Sequence, residues 1–384
     1  MISHPRHIRP IYVPPVSPAV GRDARLLFPV LFLVGIGLVM VYSASSALAQ
    51  EHFGSDTHFL RRQAVFFALG LVGLFAARRF PLRWLRKLAY PLLALSLLLL
   101  MAVFFPALGK SAGGATRWLR VGSFTFQPAE LARFSLVLYL AYSLSKKGFR
   151  VRDFSIGVAP HVVALGLLAI PILLQPDFGS ATLLTVVGLG MLFLGGIPIR
   201  HLLGSIAVLA PLAVFFVAGT PYRMRRILSF WDPWAYAKDE GYQVVHSLMA
   251  FGSGGWWGVG LGNSHQKLFY LPEPHTDFIF SVVGEELGLL GVVAVLLGYG
   301  MIIRGGLAAA RRAEDGFRKL LAAGLTLSLG LQAMINMAVT LALVPTKGLT
   351  LPFLSYGGTS LVVSMISVGF LMNVDAVSLH ERSD

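Results

Sequence analysis

Four carboxylates lie beside or inside a long apolar run, where ionised groups are costly. Glu273 and Asp277 lie in "FYLPEPHTDF", just before the apolar run that begins at Phe278. Glu285 and Glu286 lie within that run. Acidic side chains in such runs usually face the interior of a helix bundle or a water-filled cavity, and they often mark a functional site. These four residues are therefore the first candidates for chemistry.

Asp277 lies at or near the N-cap of a helix predicted to begin at Phe278. An aspartate there would cap the helix and would be stabilised by the helix dipole. On spacing alone the cap is the favoured interpretation, and a functional role for the carboxylate stays open. Glu285 and Glu286 lie about two turns deeper and point about 100° apart, so we expect both to be mainly structural.

A second polar cluster lies in "GGATRWLRVGSFTFQPAELARF". Arg117 and Arg120 precede a predicted helix, and Glu130 and Arg133 share one face of that helix at i,i+3 spacing. The pair could simply neutralise itself, or it could line a polar pocket that opens outward.

Further cations are predicted at the same depth, namely Arg62, Arg223 and Lys347. Arginine and lysine are the usual partners of phosphate groups in proteins. Because cations recur at one level beside a few carboxylates, the pattern favours an anionic lipid ligand that carries a pyrophosphate.

The composition is that of an all-α polytopic membrane protein. The chain has 384 residues, of which 55% are hydrophobic and 13% charged, and its mean hydropathy is +0.71. Apolar runs of about 17–25 residues recur, and each is long enough to cross a bilayer. About ten transmembrane helices are predicted, over residues 27–47, 61–77, 88–106, 130–145, 155–174, 178–197, 202–219, 278–302, 318–343 and 351–373.

The basic residues predict the orientation. One set of loops is richer in arginine and lysine, which places both termini in the cytoplasm. We therefore expect a flexible cytoplasmic arm over 1–26, one transmembrane domain over 27–374, and a cytoplasmic tail over 375–384. A long extracytoplasmic loop, about 220–277, would join helices 7 and 8. The net charge of +14 then reflects topology and anionic lipid, not nucleic acid.

Several kinds of site are excluded or left without support. The chain has no cysteine, so it forms no disulfide and no thiolate metal site. The glycine-rich stretch "GSGGWWGVGLG" lacks the strand and helix of a nucleotide loop. No metal-ligand spacing stands out among the ten histidines.

The chain resembles the SEDS (shape, elongation, division and sporulation) family, the FtsW and RodA group. The motifs that carry the resemblance run from the first span to the last and include "VYSAS", "RRQ", "QPDFGSATLL" and "PTKGLTLPFLSYGGTSL". The glycine- and tryptophan-rich stretch with the acidic run, and the cluster around Glu130, match as well. "PTKGLTLP" is more similar to the division branch, FtsW, than to RodA.

The resemblance implies a peptidoglycan glycosyltransferase that polymerises lipid II on the outer face of the bacterial cytoplasmic membrane, for septal wall synthesis. It implies Asp277 as the essential, catalytic aspartate and Arg62, Glu130 and Arg133 as site residues. We expect Arg117, Arg223 and Lys347 to join them in binding substrate. The family often has lysine where Arg133 stands, so an anion clamp is favoured there over proton transfer.

The implied partners are lipid II, an undecaprenyl-pyrophosphate-linked glycan, a class B penicillin-binding protein and other division proteins. A divalent cation could share the leaving-group role, although the sequence shows no metal site. A lipid II flippase is the alternative function, and a recruiting scaffold is a third. No internal repeat, the usual mark of a transporter, stands out.

Overall fold

The computed structural model describes residues 20–112, 115–122, 124–218, 221–239, 241–267 and 273–383. Within this part of the chain, six helices are long and apolar enough to cross a membrane, and three shorter apolar helices accompany them. The prediction of a mostly helical, polytopic membrane protein is therefore confirmed. The helices are α1 Val20–Phe53, α2 His58–Arg79, α3 Leu82–Lys87, α4 Ala89–Ala102, α5 Pro128–Lys147, α6 Ala159–Leu174, α7 Phe178–Leu194, α8 Ile199–Ala218, α9 Pro221–Trp231, α10 Tyr242–Gly254, α11 Ile279–Arg312, α12 Gly316–Thr340 and α13 Gly358–Ser383.

The expectation of a purely α-helical chain is wrong in one place. Three antiparallel strands follow α4, namely β1 Gly109–Ala112, β2 Ala115–Val121 and β3 Phe124–Phe126, in the order β1-β2-β3. Strand β2 is "ATRWLRV", in which threonine, tryptophan and valine suit an extended backbone. Gly122, in the turn to β3, has φ +59°, a value that favours glycine.

Helices extend further at both ends of the chain than hydropathy predicts. Helix α1 begins at Val20, inside the predicted arm, and α13 continues to Ser383, through the predicted tail. Polar residues interrupt the apolar pattern at these ends, but they do not end the helices. In the first turns of α1, for example, Asp23 forms a salt bridge with Arg78. Residues 1–19 of the predicted arm lie outside the described residues.

The long connection between α8 and α11 is itself partly helical, because it contains α9 and α10. Helix α10 packs against α11, and the glycine-rich stretch that follows α10 continues along the same helix. The predicted long loop therefore contains a regular helix over Tyr242–Gly254.

Helix α11 is broken at Gly288, where φ is +62° and ψ is −161°. The break is matched by the stretch after α10: Val259 N and Gly260 N donate to the carbonyls of Glu285 and Glu286. On the far side of the break, Leu289 N donates to Gly255 O at 2.9 Å. Backbone groups that the helix leaves unpaired are therefore satisfied by the loop, as an apolar environment requires.

The side chains of Glu285 and Glu286 hold the same loop in place. Glu285 accepts hydrogen bonds from Ser264 Oγ and from His265 N. Glu286 forms a salt bridge with Lys267 at 2.8 Å and accepts from Ser43 Oγ on α1. Both glutamates are buried, and their contacts tie this loop to α1 and α11, as the expected structural role requires.

The helices pack into one bundle, whose two ends differ. We call the end that carries β1–β3 the sheet end; the loop before α11 and the loop between α12 and α13 also lie there. Helix α2 runs away from this end, packed along α13, to its final residues Arg78 and Arg79. We call that opposite end the arginine-rich end.

Candidate active site

A cavity of about 510 Å³ opens at the sheet end. We call it the sheet-end cavity. It is lined from β2, the start of α5, the loop before α11 and the loop before α13. Its polar and charged lining includes Arg117, Gln127, Glu130, Gln243, Glu273, Asp277, Lys347 and Tyr356. Four of the seven site residues predicted from sequence therefore meet here: Asp277, Glu130, Arg117 and Lys347.

Asp277 lies one residue before Phe278, the N-cap of α11, and its side chain is half-buried. Asn336 on α12 holds its backbone, because the Asn336 amide donates to Asp277 O at 2.9 Å and to Leu349 O at 2.6 Å. A Cβ placed on Gly348 would lie 3.1 Å from Asp277 Oδ2. Glycine at 348 therefore lets the carboxylate approach the loop backbone closely.

A second set of hydrogen bonds joins the loop of Asp277 to the loop before α13. Ser355 Oγ donates to Thr276 O at 2.5 Å, and Tyr356 N donates to His275 O at 2.8 Å. Gln63 on α2 donates to Ser355 O at 3.0 Å. The aspartate thus sits on backbone tied to three separate elements, which is the kind of support that a reacting group needs.

Two cations line the same cavity as this carboxylate. Arg117 Nη1 lies 3.6 Å from the Cβ position at Gly348, the same position that Asp277 Oδ2 approaches. Within the described residues, the buried Nε of Arg117 has no hydrogen-bond partner. Burial lowers the pKa of the Lys347 ammonium. Both groups are placed to meet an anionic ligand that enters the cavity.

His275 adds no positive charge beside Asp277 at neutral pH. Burial lowers the pKa of its imidazole to about 4, since the low-dielectric surroundings disfavour the charged form. Its 3.7 Å contact with Glu273 is therefore not an ion pair near neutrality. The ring packs instead against Phe59 and Tyr356.

Glu130 and Arg133 form the ion pair that their i,i+3 spacing predicts, and both are buried. Glu130 lines the cavity, whereas Arg133 lies outside its lining. Arg133 also donates to Gln332 Oε1 at 2.7 Å, and Gln332 Nε2 donates to Thr350 O at 3.0 Å. The pair therefore connects the cavity wall to α12 and to the loop before α13.

The last two predicted site residues lie apart from this group. Arg62 is within hydrogen-bonding and electrostatic reach of Tyr356, so it touches the cavity through that side chain. Arg223 belongs to α9, but its side chain falls outside the described residues.

The sequence patterns do not single out two further residues near the site, Asn336 and Gln332. Both lie in α12 within the apolar stretch "LGLQAMINMAVT", and both are buried. A buried amide costs free energy unless it is hydrogen-bonded, so uncharged polar residues inside a span were the available signal.

Among the described residues, no group of three or more His, Asp or Glu side chains is arranged to hold a metal ion. Magnesium is commonly held by one or two carboxylates together with substrate phosphates. A divalent cation at this cavity would therefore need ligands from a bound phosphate group as well as from the protein.

Known proteins match this chain over almost its whole length. The family model for FtsW, RodA and SpoVE, described as cell cycle protein, matches residues 24–380. A Geobacter metallireducens protein named probable peptidoglycan glycosyltransferase FtsW is 46% identical over 352 residues, which covers 92% of this chain and 94% of the relative. A protein of the same name from Nitrosomonas europaea is 42% identical over 369 residues, covering 94% of each.

Solved structures are similar over the same range. A chain from a peptidoglycan synthase complex, studied for its coordination of polymerization and crosslinking, has a TM-score of 0.77 and 32% identity. The match covers 92% of this chain and 97% of that chain. The rod shape determining protein RodA of Thermus thermophilus has a TM-score of 0.67 and 32% identity, covering 92% and 96%.

Proposed function

The chain belongs to the FtsW/RodA/SpoVE family of cell cycle proteins, and from this membership and the sheet-end cavity we infer that it is a peptidoglycan glycosyltransferase. The observation that carries the chemistry is the meeting of the Asp277 carboxylate and the Arg117 guanidinium at Gly348. Glycosyl transfer from a lipid pyrophosphate needs a base for the acceptor and a cation for the leaving group. The cavity offers both.

Asp277 takes the proton from the acceptor hydroxyl of lipid II. The hydroxyl oxygen then bonds to the anomeric carbon of the growing, lipid-linked strand. The bond between that carbon and the pyrophosphate oxygen breaks, and the undecaprenyl pyrophosphate leaves with the electron pair. General base catalysis of this kind typically contributes about 10²–10⁴-fold. The support is the fixed backbone around Asp277, where Asn336 donates to Asp277 O and Ser355 donates to Thr276 O.

Arg117 and Lys347 stabilise the charge that develops on the pyrophosphate. Fixed cations in a site partly shielded from water stabilise such charge more than they would in bulk solvent. Arg133 acts through Glu130, whose carboxylate lies between it and the cavity. Arg62 orients Tyr356, and Arg223 would approach from the long loop.

Arg117→Gln should slow lipid II polymerisation roughly ten- to a hundredfold, because a hydrogen bond to a charged group is worth about 1.5–3 kcal/mol. Arg120→Gln is the matched control. The Arg120 side chain is exposed, and because it lies three residues after Arg117 on β2, it points to the opposite face of the sheet. Polymer formation by the two purified variants is the measurement. Equal rates for both would remove Arg117 from the site.

The topology completes the proposal: about ten transmembrane helices over residues 27–374, both termini in the cytoplasm, and the sheet end outside. The cavity would then face the side on which lipid II is polymerised. The clustering of Arg78, Arg79 and Arg86 at the other end supports this orientation.

Single cysteines test the orientation cleanly, because the chain has none of its own. Asp56 and Arg150 are both exposed, at the sheet end and the arginine-rich end respectively. In intact cells, a membrane-impermeant thiol reagent should label Asp56→Cys but not Arg150→Cys. The reverse labelling pattern would invert the topology and place the cavity on the wrong side.

The cellular role that we propose is septal wall synthesis, together with a class B penicillin-binding protein and other division proteins. Support comes from the relatives named FtsW and from the resemblance to a chain in a peptidoglycan synthase complex. The decisive test is polymer formation from lipid II by the purified chain with its penicillin-binding partner. Transbilayer movement of lipid II without polymer would favour a flippase instead.

A further inference from the structure

A second cavity, of about 820 Å³, lies at the arginine-rich end, far along the bundle from Asp277. We call it the arginine-rich cavity. It is formed by the end of α2, the short helix α3, the start of α12 and the end of α13. Its lining residues are Arg78, Arg79, Phe80, Pro81, Leu82, Arg83, Arg86, Arg318, Asn373, Ala376 and Val377. Glycosyl transfer at the sheet end makes no use of it.

The cavity has more positive than negative charge. Asp23 pairs with Arg78, and Asp315 lies in salt-bridge contact with Arg86 and Arg318. Arg79 and Arg83 are exposed, and in the described part of the chain neither forms a salt bridge. Five arginines thus surround the cavity while two aspartates neutralise part of their charge. A net positive cavity is suited to an anion.

Arg78 carries a donor that lacks a hydrogen-bond acceptor. Its Nη2 is paired with Asp23, but its Nε is buried and finds no hydrogen-bond partner in the described segments. A buried donor left without a partner costs free energy. Because Arg78 lines the cavity, a small rotation of its side chain toward an anionic oxygen bound there would remove that cost.

The walls beside the arginines are apolar. Phe80, Leu82 and Val377 contribute them, so one side of the cavity is cationic and the other is hydrocarbon. Next to it, Trp84 on α3 is half exposed, and the Lys87 ammonium lies 4.5 Å from its ring centroid. Tryptophan and lysine in such positions are typical of the headgroup level of a membrane.

We propose that the arginine-rich cavity is a binding site for an anionic phospholipid. The phosphate accepts hydrogen bonds from Arg79 and Arg83, whose planar guanidinium groups match its oxygens. The glycerol and the first acyl carbons lie on Phe80 and Leu82. Basic pockets between membrane helices on the cytoplasmic side are suited to such headgroups. The apolar wall favours a lipid over a soluble phosphate, which has no group to place there.

The test uses the full chain, purified in a neutral detergent and titrated with phosphatidylglycerol, with bound lipid counted by native mass spectrometry. Phosphatidylcholine, which is zwitterionic, should bind at least about tenfold more weakly, since each arginine near an anionic lipid contributes about 1 kcal/mol. The double variant Arg79→Gln/Arg83→Gln should lose this preference. It should also keep its Tm, because both side chains are exposed.

The matched control is Arg150→Gln/Arg152→Gln, which removes two exposed charges from the same end but outside the cavity. It should bind phosphatidylglycerol like the unchanged chain. An equal loss in both double variants, or no preference for phosphatidylglycerol, would overturn the proposal. Displacement of the lipid by millimolar inorganic phosphate would assign the site to a soluble anion, and displacement by polyglutamate would assign it to an acidic protein segment; either result overturns the lipid assignment.

Discussion

Asp277→Asn is expected to leave a folded chain that binds the proposed penicillin-binding partner and makes no detectable glycan polymer. Asparagine keeps the shape of aspartate, and Asp277 lies one residue before the N-cap of α11, so stability should change little. It cannot accept a proton as a carboxylate does, so the rate should fall by about 10²–10⁴-fold, the usual contribution of a general base. Polymer length and yield from purified lipid II, resolved by gel electrophoresis, measure the effect.

Glu273→Gln is the matched control for this substitution. Glu273 also lines the sheet-end cavity, but its side chain is 68% exposed. Neutralising it should change the polymerisation rate by no more than about twofold, within the effect expected of an exposed charge. Near-native polymer from Asp277→Asn would refute the base assignment. Loss of folding in that variant would instead assign Asp277 a structural role at the start of α11.

Lys267→Met is expected to destabilise the protein by about 3–5 kcal/mol, because it leaves the buried Glu286 carboxylate without its cation. The side chains are 7% and 0% exposed, and Lys267 Nζ also donates to Ser43 Oγ at 2.9 Å. The loop after α10 should therefore loosen from α1 and α11. Denaturant titration of the free energy of unfolding in detergent micelles is the measurement.

Two comparisons isolate the pair. Lys238→Met removes an exposed lysine from the same long connection and should lie within about 0.5 kcal/mol of the unchanged chain. Lys267→Met/Glu286→Gln removes both charges and should recover part of the loss, since no unpaired charge then remains buried. If Lys267→Met proves as stable as Lys238→Met, Glu286 is not held by this contact.

Sequence patterns could predict the parts of the site that depend on local spacing. The i,i+3 spacing of Glu130 and Arg133 is enough to foresee their ion pair. Asp277 stands out among the four acids only through the family resemblance. The partner of Arg133 on α12 could not be foreseen, because Gln332 lies 199 residues away. Contacts of that separation depend on which helices pack together.

Two features of the backbone also could not be predicted from the sequence. Strands β1 and β3 have only four and three residues, too few for an alternating pattern to be distinguished from a loop. The apolar pattern of α11 continues through Gly288, so nothing in it marks a break. The break is stabilised by the backbone of residues 255–260, which can be known only once the loop is placed.

The most direct test of the account measures lipid II binding and lipid II polymerisation on one preparation of Asp277→Asn. If Asp277 is the base in a cavity whose cations hold the pyrophosphate, binding should stay within a few-fold of the unchanged chain while polymer disappears. Asp277 is not the base if the variant still polymerises lipid II. Asp277 is also not the base if binding and polymer are lost together in a folded protein, since it would then hold substrate and not activate it.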